Sequence, residues 1–169
     1  LKELLSEDEF AEQRATVLTA FYTPRPVVEP IWETLKDAGI RDGGRAEILE
    51  PRCGTGHTMR CVPEGMDVHV TGVEIDPVSA ILARVLCPDH TIVAADLANC
   101  EIPAGSLDTA LGNAPYSDAI NIDGVPLHDY MIKRAVAAVR PGSIVAVLTS
   151  RYTMDKAREA TRESLAREC

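Results

Sequence analysis

The stretch Ile48-Leu49-Glu50-Pro51-Arg52-Cys53-Gly54-Thr55-Gly56 carries a short apolar run directly into a turn with two glycines. The run 46–49 predicts a buried β-strand. Glycines in the following turn allow the backbone to pass close to a ligand, where a Cβ atom would collide with it. A strand with such a turn indicates a nucleotide-type binding site, and the alternative is a tight turn without a ligand.

An acidic residue ends the next predicted strand, in Val70-Thr71-Gly72-Val73-Glu74-Ile75-Asp76, about twenty positions after the glycine turn. The Glu74 carboxylate would there accept hydrogen bonds from both ribose hydroxyls of an adenosine. The alternative is an acid that caps a helix or faces solvent. A dinucleotide site requires a third glycine three residues after Gly56, but the sequence has Met59 there, which disfavours NAD.

Short apolar runs alternate with helical stretches or loops along most of the chain. The runs that predict strands are 46–49, 68–73, 91–94, 109–111 and 144–148. The stretches that predict helices after the first strand are 78–86, 130–139 and a last segment from Met154 onward. This alternation, with strands so apolar, predicts an α/β fold with a mostly parallel sheet and helices on both faces. With 169 residues, 46% of them hydrophobic, the chain fits a single domain.

Two helices are predicted before the first strand. Ser6, with a glutamate three residues later, fits a capping box that opens a helix through about Ala20. Thr23 and Pro24 then start a second helix, with Thr23 as its cap and Pro24 in its first turn, which ends near Gly39. The apolar positions of this second helix form one stripe: Val27, Val28, Ile31, Trp32 and Leu35.

The composition limits the classes of function. The formal charge of -9 argues against this chain holding a phosphate backbone by itself, because nucleic-acid affinity comes largely from Lys and Arg. The five cysteines contain no Cys-x-x-Cys pair and the four histidines lack metal-ligand spacing, so no metal site is expected. No run approaches the ~20 apolar residues of a membrane span, and the first residues lack the order of a secretory signal. We therefore expect a cytoplasmic chain with reduced thiols, in which 117–126 form a polar loop.

The most informative segment is Leu111-Gly112-Asn113-Ala114-Pro115-Tyr116, at the end of the fourth apolar run. By itself, Asn-Ala-Pro-Tyr fits a strand-ending turn, since Asn and Pro are common turn residues. The segment also resembles the catalytic tetrapeptide Asn/Asp-Pro-Pro-Tyr/Phe of the amino-methyltransferases that use S-adenosylmethionine. The resemblance extends over nearly the whole chain, because other motifs of that family occur in the same order.

These other motifs lie at the start of the second helix and at strand ends. The segment 21–24 (Phe-Tyr-Thr-Pro) looks like the family's methionine-binding segment, and 50–56 looks like its glycine motif. Glu74 looks like its ribose acid, and Asp96 like its adenine-binding acid. Asp96 follows the third apolar run, where a lone Asp is otherwise a turn residue.

The resemblance implies a Rossmann-like class I methyltransferase fold over 1–169, with N-terminal helices in 1–40 and the core in 45–169. A closer likeness, in 20–23 and 149–156, is to the methylase domain of very large phage- and plasmid-type proteins that join a DNA methylase to a helicase. Because the sequence starts without Met and stops at Cys169 inside what looks like a continuing helix, we also expect a fragment of a longer protein. The implied activity is methyl transfer from S-adenosylmethionine to an exocyclic amino nitrogen. We expect this nitrogen to be N6 of adenine in DNA, and the alternatives are RNA bases or protein glutamine.

The resemblance also assigns site residues. The implied catalytic residues are Asn113, Ala114, Pro115 and Tyr116. The implied cofactor-binding residues are Tyr22, Thr23, Pro24, Glu50, Pro51, Cys53, Gly54, Gly56, Glu74, Ile75, Asp96, Leu97 and Asn113. Ala114 departs from the family by replacing its first proline, and Arg52 stands where a small residue is usual. A long cationic side chain at Arg52 would repel the sulfonium or obstruct the cofactor unless Glu50 or Glu74 pairs with it, and the sequence leaves this open.

A non-catalytic S-adenosylmethionine-binding or interaction domain is the alternative from a different class. Arg52 and the acidic charge favour this alternative. It is also favoured by the strand count, because the sequence predicts five strands and the family usually has seven. If the chain ends at Cys169, the strand 144–148 would form an exposed sheet edge. We expect further sequence or a partner chain to cover that edge, and other domains or chains to supply most of the DNA binding.

Overall fold

The computed structural model describes residues 23–40, 43–115, 120–155 and 159–169. The strands in these residues are β1 (Ala46–Glu50), β2 (Val68–Glu74), β3 (Thr91–Ala94), β4 (Leu107–Asn113), β5 (Asn121–Ile122), β6 (Val125–Pro126) and β7 (Val139–Leu148). One sheet has the order β3-β2-β1-β4-β7, and every neighbouring pair in it is parallel. The short strands β5 and β6 form a separate antiparallel hairpin.

The strand order determines where a ligand crevice forms. From β1 the chain moves outward to β2 and β3, and it then crosses to β4 on the other side of β1. In an open parallel sheet, ligands bind at the carboxyl ends of the strands where this order reverses. This rule predicts a ligand crevice between the carboxyl ends of β1 and β4.

Helices cover both faces of the sheet. They are α1 (Arg25–Asp37), α2 (Pro77–Leu86), α3 (Leu127–Ala138), α4 (Tyr152–Asp155) and α5 (Ala160–Glu168). Helices α1 and α2 contribute to the core on one face, and α3 contributes to the core on the other. Successive residues of β1 face opposite sides, so the fully buried Ile48 and Leu49 belong to different cores. The predicted α/β fold with a mostly parallel sheet is confirmed.

The first described helix, α1, agrees with the predicted stripe except at its beginning. Val28, Trp32 and Leu35 are buried, and Ile31 packs against the same core. Val27 is 42% exposed, so its place in the stripe is wrong: it lies one residue, or about 100°, away from the buried Val28. The predicted helix over 6–20 lies outside the described residues.

The cap predicted for α1 is also wrong. The helix begins at Arg25, so Pro24 is its cap position rather than part of its first turn, and no side chain caps it. Instead, the Thr23 hydroxyl accepts a hydrogen bond from Asn113 Nδ2 at 3.1 Å. Thr23 therefore connects the start of α1 to the end of β4.

Strands β4 and β7 are longer than predicted because polar and turn-forming residues are accommodated inside them. The Asp108 carboxylate accepts a hydrogen bond from the Glu47 backbone N–H at 2.8 Å and forms an ion pair with Arg140. The β4–β7 register shifts between Leu107 and Thr109, next to this acid. The strand β7 also contains Pro141, which is tolerated at an edge.

The polar segment 117–126 contains the β5–β6 hairpin, which the sequence analysis did not predict. Its turn consists of Asp123 and Gly124, both with positive φ, as two-residue hairpin turns require. The helix predicted from Met154 onward is divided in two, α4 and α5. Residues 116–119 and 156–158 lie outside the described part of the chain.

Strand β7 is an edge strand of the described sheet, with β4 as its neighbour. Our expectation that further sequence or another chain covers this edge stays a prediction. Within the described residues, no helix has the length and apolar character to cross a bilayer.

Candidate active site

The turns after β1 and β4 meet at the carboxyl edge of the sheet. The two strands are neighbours, with Ile48 opposite Thr109 and Leu49 opposite Ala110. A Cβ atom added at Gly112 would lie 3.4 Å from Pro51 Cδ, so Pro51 of the glycine turn lies beside the end of β4. The structure therefore brings the glycine turn and the Asn-Ala-Pro segment into one site.

The described part of the tetrapeptide is held by hydrogen bonds and by packing. Asn113 donates from Nδ2 to Thr23, and the Ala114 backbone N–H donates to the Leu148 carbonyl at 2.8 Å. Ala114 and Pro115 are buried. Since its nitrogen is bonded to Thr23, the Asn113 carboxamide has a defined orientation. The predicted residues Tyr116 and Tyr22 lie outside the described residues.

The glycine turn requires glycine at both predicted positions because of the backbone conformation, and at Gly56 also because of packing. Gly54 and Gly56 have φ of +55° and +76°, a region that L-residues rarely adopt. A Cβ atom at Gly54 would meet nothing within 4 Å, whereas one at Gly56 would lie 2.5 Å from Cys87 Sγ. The turn at Gly56 is therefore packed directly on α2 and its C-terminal residue.

We expect Gly56→Ala to destabilise the fold more than Gly54→Ala does. Both substitutions place a Cβ at positive φ, at a cost of about 1–2 kcal/mol, but only Gly56→Ala overpacks the buried Cys87, which adds about 1–3 kcal/mol. Urea denaturation of both variants would measure the difference in free energy of unfolding. Adding Cys87→Ala to Gly56→Ala should recover part of it, and equal losses in the two single variants would contradict the packing argument.

The Glu74 carboxylate holds the end of β2 to the glycine turn. It is 4% exposed, and it accepts backbone N–H bonds from Gly54 at 2.9 Å and from Asp76 at 2.8 Å, one on each oxygen. Asp76 in turn caps α2 by accepting from the Ser79 N–H at 2.7 Å. Glu74 thus lies under the turn, where a ribose bound at the ends of β1 and β2 would approach it.

Glu50, at the end of β1, is a second buried acid in the same region. It is 3% exposed, and its Oε2 has no hydrogen-bond donor among the described residues. Burial raises the pKa of Glu50 to about 8; a hydrogen bond with the Thr58 side chain opposes this rise and the nearby Glu74 adds to it. The Thr58 carbonyl accepts a bond from Trp32 Nε1 at 2.9 Å, so α1 supports the loop that faces this acid.

A cavity of 350 Å³ lies beside the glycine turn, within the size range of small-ligand pockets. Its lining residues come from the ends of β1, β2 and β3 and from the segment of the β5–β6 hairpin and α3: Pro51, Arg52, Val73, Ile75, Ala95, Asp96, Leu97, Ile120, Asn121, Ile122, Leu127 and Met131. Four of the predicted cofactor-binding residues, Pro51, Ile75, Asp96 and Leu97, are among them. The Asp96 carboxylate also accepts from the Ala98 N–H at 2.9 Å, as in a turn.

The hairpin side of this cavity was not predicted, because the prediction for 117–126 is a polar loop. Ile120 and Ile122 nevertheless alternate with the polar Asn121 in this segment. That alternation was the available signal for a short strand with one apolar side.

The structure places the side chains of Arg52 and Cys53 in different surroundings. Arg52 lines the cavity, and among the described residues no ion pair joins it to the buried acids Glu50 and Glu74. Cys53 packs into the core, where its Sγ would lie 2.7 Å from a Cβ at Gly72. Its side chain is therefore on the core side of the turn rather than in the cavity, and burial raises the pKa of its thiol. Among the residues that the structure describes, no group of His, Cys, Asp or Glu is arranged to hold a metal ion.

Solved structures that share the fold include methyltransferases. A protein of Listeria monocytogenes assigned to the class I S-adenosylmethionine-dependent methyltransferases matches with a TM-score of 0.70 and 18% identity, over 86% of this chain and 51% of that one. A plantazolicin methyltransferase in complex with SAH matches with a TM-score of 0.57 and 12% identity, over 79% of this chain and 49% of that one. A geranyl diphosphate methyltransferase in complex with SAM matches with a TM-score of 0.55 and 13% identity, over 82% of this chain and 56% of that one. The chain has the Rossmann-like fold of the class I methyltransferases.

Two curated proteins are similar to this chain in sequence. The chain is 26% identical, over 141 residues, to the Defense against restriction protein B of Escherichia phage P1, covering 78% of this chain and 6% of that protein. It is 35% identical, over 97 residues, to the type II methyltransferase M.CvrRI of Paramecium bursaria Chlorella virus XZ-6E, covering 57% of this chain and 24% of that protein. The chain thus spans a small part of the length of these relatives. They confirm the resemblance to methylases and phage proteins, and no family model matches the chain.

Proposed function

We propose that this chain transfers a methyl group from S-adenosylmethionine to an exocyclic amino nitrogen, with N6 of adenine in DNA as the acceptor. The observation that carries the proposal is the position of the Asn113 carboxamide, which is anchored by Thr23 at the end of β4, next to Gly112 and near Pro51 of the glycine turn. The curated match to a type II methyltransferase supports the reaction class.

Residues that line the cavity, together with two buried acids at the ends of β1 and β2, fit S-adenosylmethionine. Ile75 and Leu97 offer apolar walls for an adenine, and Asp96 offers an acceptor for its amino group. Glu74 has further lone pairs for ribose hydroxyls besides the two backbone bonds that it accepts. The unpartnered Oε2 of Glu50 suits a cationic donor, such as the ammonium of the methionine moiety. When bound, the cofactor supplies a methyl group on a positively charged sulfur.

The role of Asn113 follows from the chemistry of the acceptor. An adenine amino nitrogen is a poor nucleophile because its lone pair is delocalised into the ring. Two acceptors directed at the amino hydrogens, Asn113 Oδ1 and the Ala114 carbonyl oxygen, orient this nitrogen and stabilise the positive charge that develops on it. Holding the reacting atoms in line supplies a further large part of the rate.

The remaining residues of the tetrapeptide would hold the base. The buried Pro115 keeps the turn rigid. Tyr116 is proposed to stack on the base after it leaves the helix, which offsets part of an unstacking cost of a few kcal/mol. With a formal charge of -9, the chain itself would contribute little to phosphate binding, so we propose that other domains or chains hold the DNA.

Two measurements test this proposal. Isothermal titration should detect S-adenosylmethionine binding, and tritium from its methyl group should appear in unmethylated DNA and be located at adenine N6 by nucleoside analysis. RNA and glutamine-containing peptide are the comparison substrates. The longest available form of the protein should be used. Transfer to RNA or peptide instead of DNA would refute the proposed acceptor.

A non-catalytic adenosylmethionine-binding domain is the second candidate function. Arg52 favours it, because this cation lines the cavity and no carboxylate among the described residues pairs with it. Such a charge raises the free energy of a bound sulfonium. Cofactor binding without transfer to DNA, RNA or peptide would support this candidate over the enzyme.

A further inference from the structure

A positive charge lies in the lining of the cavity beside the glycine turn. It belongs to Arg52, which is partly buried. Among the described residues that line this cavity, Asp96 is the one other charged residue, and most of the rest are apolar. An apolar lining strengthens electrostatic interactions inside a site, because it excludes part of the water that would screen them. The charge of Arg52 therefore affects which ligands the cavity takes.

Within the described part of the chain, no carboxylate neutralises this charge. Arg52 forms neither an ion pair nor a side-chain hydrogen bond with any residue described by the structure. The Asp96 carboxylate lines the same cavity, but its hydrogen bond is with the Ala98 N–H. Glu74 accepts a backbone N–H on each of its oxygens. Since an arginine in a protein keeps its proton, the guanidinium is a cation without a counter-ion among these residues.

The cavity is small enough for this cation to act on any charge that is bound inside it. A compact cavity of 350 Å³ is on the order of 10 Å across, which is no more than the distance over which physiological salt screens a charge. At the effective dielectric constant of a protein site, about 20, two unit charges at this separation change a binding constant roughly tenfold. A ligand that carries a positive charge in this cavity is therefore disfavoured by Arg52 relative to a neutral ligand of the same shape.

S-adenosylmethionine and S-adenosylhomocysteine differ in charge at one atom. In methyl transfer the bond between methyl carbon and sulfur breaks, and its electron pair stays on sulfur, which becomes a neutral thioether. The methyl group goes to the acceptor nitrogen, which then releases a proton. The adenine, ribose and amino-acid groups are the same in both ligands, so contacts with these groups contribute equally to both affinities. The carboxylates of Asp96 and Glu74 attract the sulfonium, whereas the guanidinium of Arg52 repels it.

We propose that Arg52 is a specificity-determining residue that weakens the binding of cationic S-adenosylmethionine relative to neutral S-adenosylhomocysteine. This inference rests on the proposed function, because it assigns both ligands to the same site. Relative to the cofactor, the product of each turnover is held more tightly than it would be with an uncharged residue at this position. Methyl transfer by this chain consequently responds to the ratio of cofactor to product.

Calorimetric titrations of Arg52→Gln and of the unmodified chain test the inference. The quantity to compare is the dissociation constant of S-adenosylmethionine divided by that of S-adenosylhomocysteine. We expect this ratio to fall roughly tenfold in Arg52→Gln, because the substitution removes the charge that repels the sulfonium. Sinefungin carries a charged amino group in place of the methylated sulfur, so its affinity should change in the same direction as that of S-adenosylmethionine.

Further variants separate the charge of Arg52 from its shape and from the net charge of the chain. Arg52→Lys keeps the charge and should keep the ratio of the unmodified chain. Arg60→Gln removes a charge from the same loop, at an exposed position outside the cavity lining, and should also leave the ratio unchanged. If Arg52→Gln does not fold, as judged by circular dichroism, Arg52→Ala is the uncharged variant to use.

The outcomes are distinguishable from failure of the proposed function. An unchanged ratio in Arg52→Gln, even with altered affinity for all three ligands, would overturn the role of Arg52 and leave the methyltransferase proposal intact. An equal fall of the ratio in Arg52→Lys or in Arg60→Gln would overturn it as well, because neither the charge nor its position would then account for the discrimination. If none of the three ligands binds to the unmodified chain, both proposals are wrong.

Discussion

Asn113→Ala should lower methyl transfer by about 10²–10³-fold, the effect of removing one preorganised dipole at a reacting centre. S-adenosylmethionine affinity should stay within a few-fold, because the cavity is lined by other residues. The large effect on rate follows from the anchored carboxamide: its nitrogen is bonded to Thr23, so its oxygen has a defined direction. Transfer of tritiated methyl groups at saturating cofactor measures the rate, and calorimetry measures the affinity.

Two variants control this experiment. Asn99→Ala makes the same chemical change at an exposed position and should leave transfer unchanged. Thr23→Val removes the acceptor for Asn113 Nδ2 while keeping the side-chain shape, so it should reduce transfer by less than Asn113→Ala does. If Asn113→Ala retains half of the activity, the active site has been misplaced.

Glu74→Gln should raise the S-adenosylmethionine dissociation constant by about 10²-fold, since hydrogen bonds to a charged group contribute about 1.5–3 kcal/mol each. The substitution also places an NH₂ group against one of two backbone donors, Gly54 N–H or Asp76 N–H, because each carboxylate oxygen already accepts one. An unsatisfied donor in this buried position should lower the free energy of unfolding by about 1–3 kcal/mol.

Calorimetry and urea denaturation separate the two effects of Glu74→Gln. The same change at the exposed Glu33 of α1 should alter neither quantity. A variant with normal stability but weakened binding would indicate that Glu74 contacts ligand without holding the turn. Unchanged binding would exclude Glu74 from the ribose site.

The fold was predictable from the sequence because the strands of the sheet are mostly apolar, and the central strands β1, β2 and β4 are largely buried. The run 91–94 matches β3 at both ends, and 68–73 differs from β2 by one residue. Prediction failed where tertiary contacts stabilise polar residues inside strands. Asp108 and Arg140 interrupt the apolar pattern of β4 and β7, and their ion pair exists only after these two distant strands have paired.

The candidate site was predictable in part, for a similar reason. Motif order placed Glu50, Glu74 and Asn113 at strand ends, and parallel pairing brings those ends to one edge. Local patterns could not indicate that Thr23 bonds to Asn113, ninety residues later in the chain, instead of capping α1. Local patterns also could not indicate whether Arg52 pairs with Glu50 or Glu74, because the burial of both acids depends on packing.

The bond from Trp32 to the Thr58 carbonyl gives this protein a built-in optical probe. Trp32 is the one tryptophan in the sequence and is fully buried, so all tryptophan fluorescence comes from one buried side chain next to the loop after the glycine turn. A ligand that shifts this loop changes the polarity around one fluorophore. Titrating adenosine ligands while recording the emission maximum would therefore follow the turn itself, without a label.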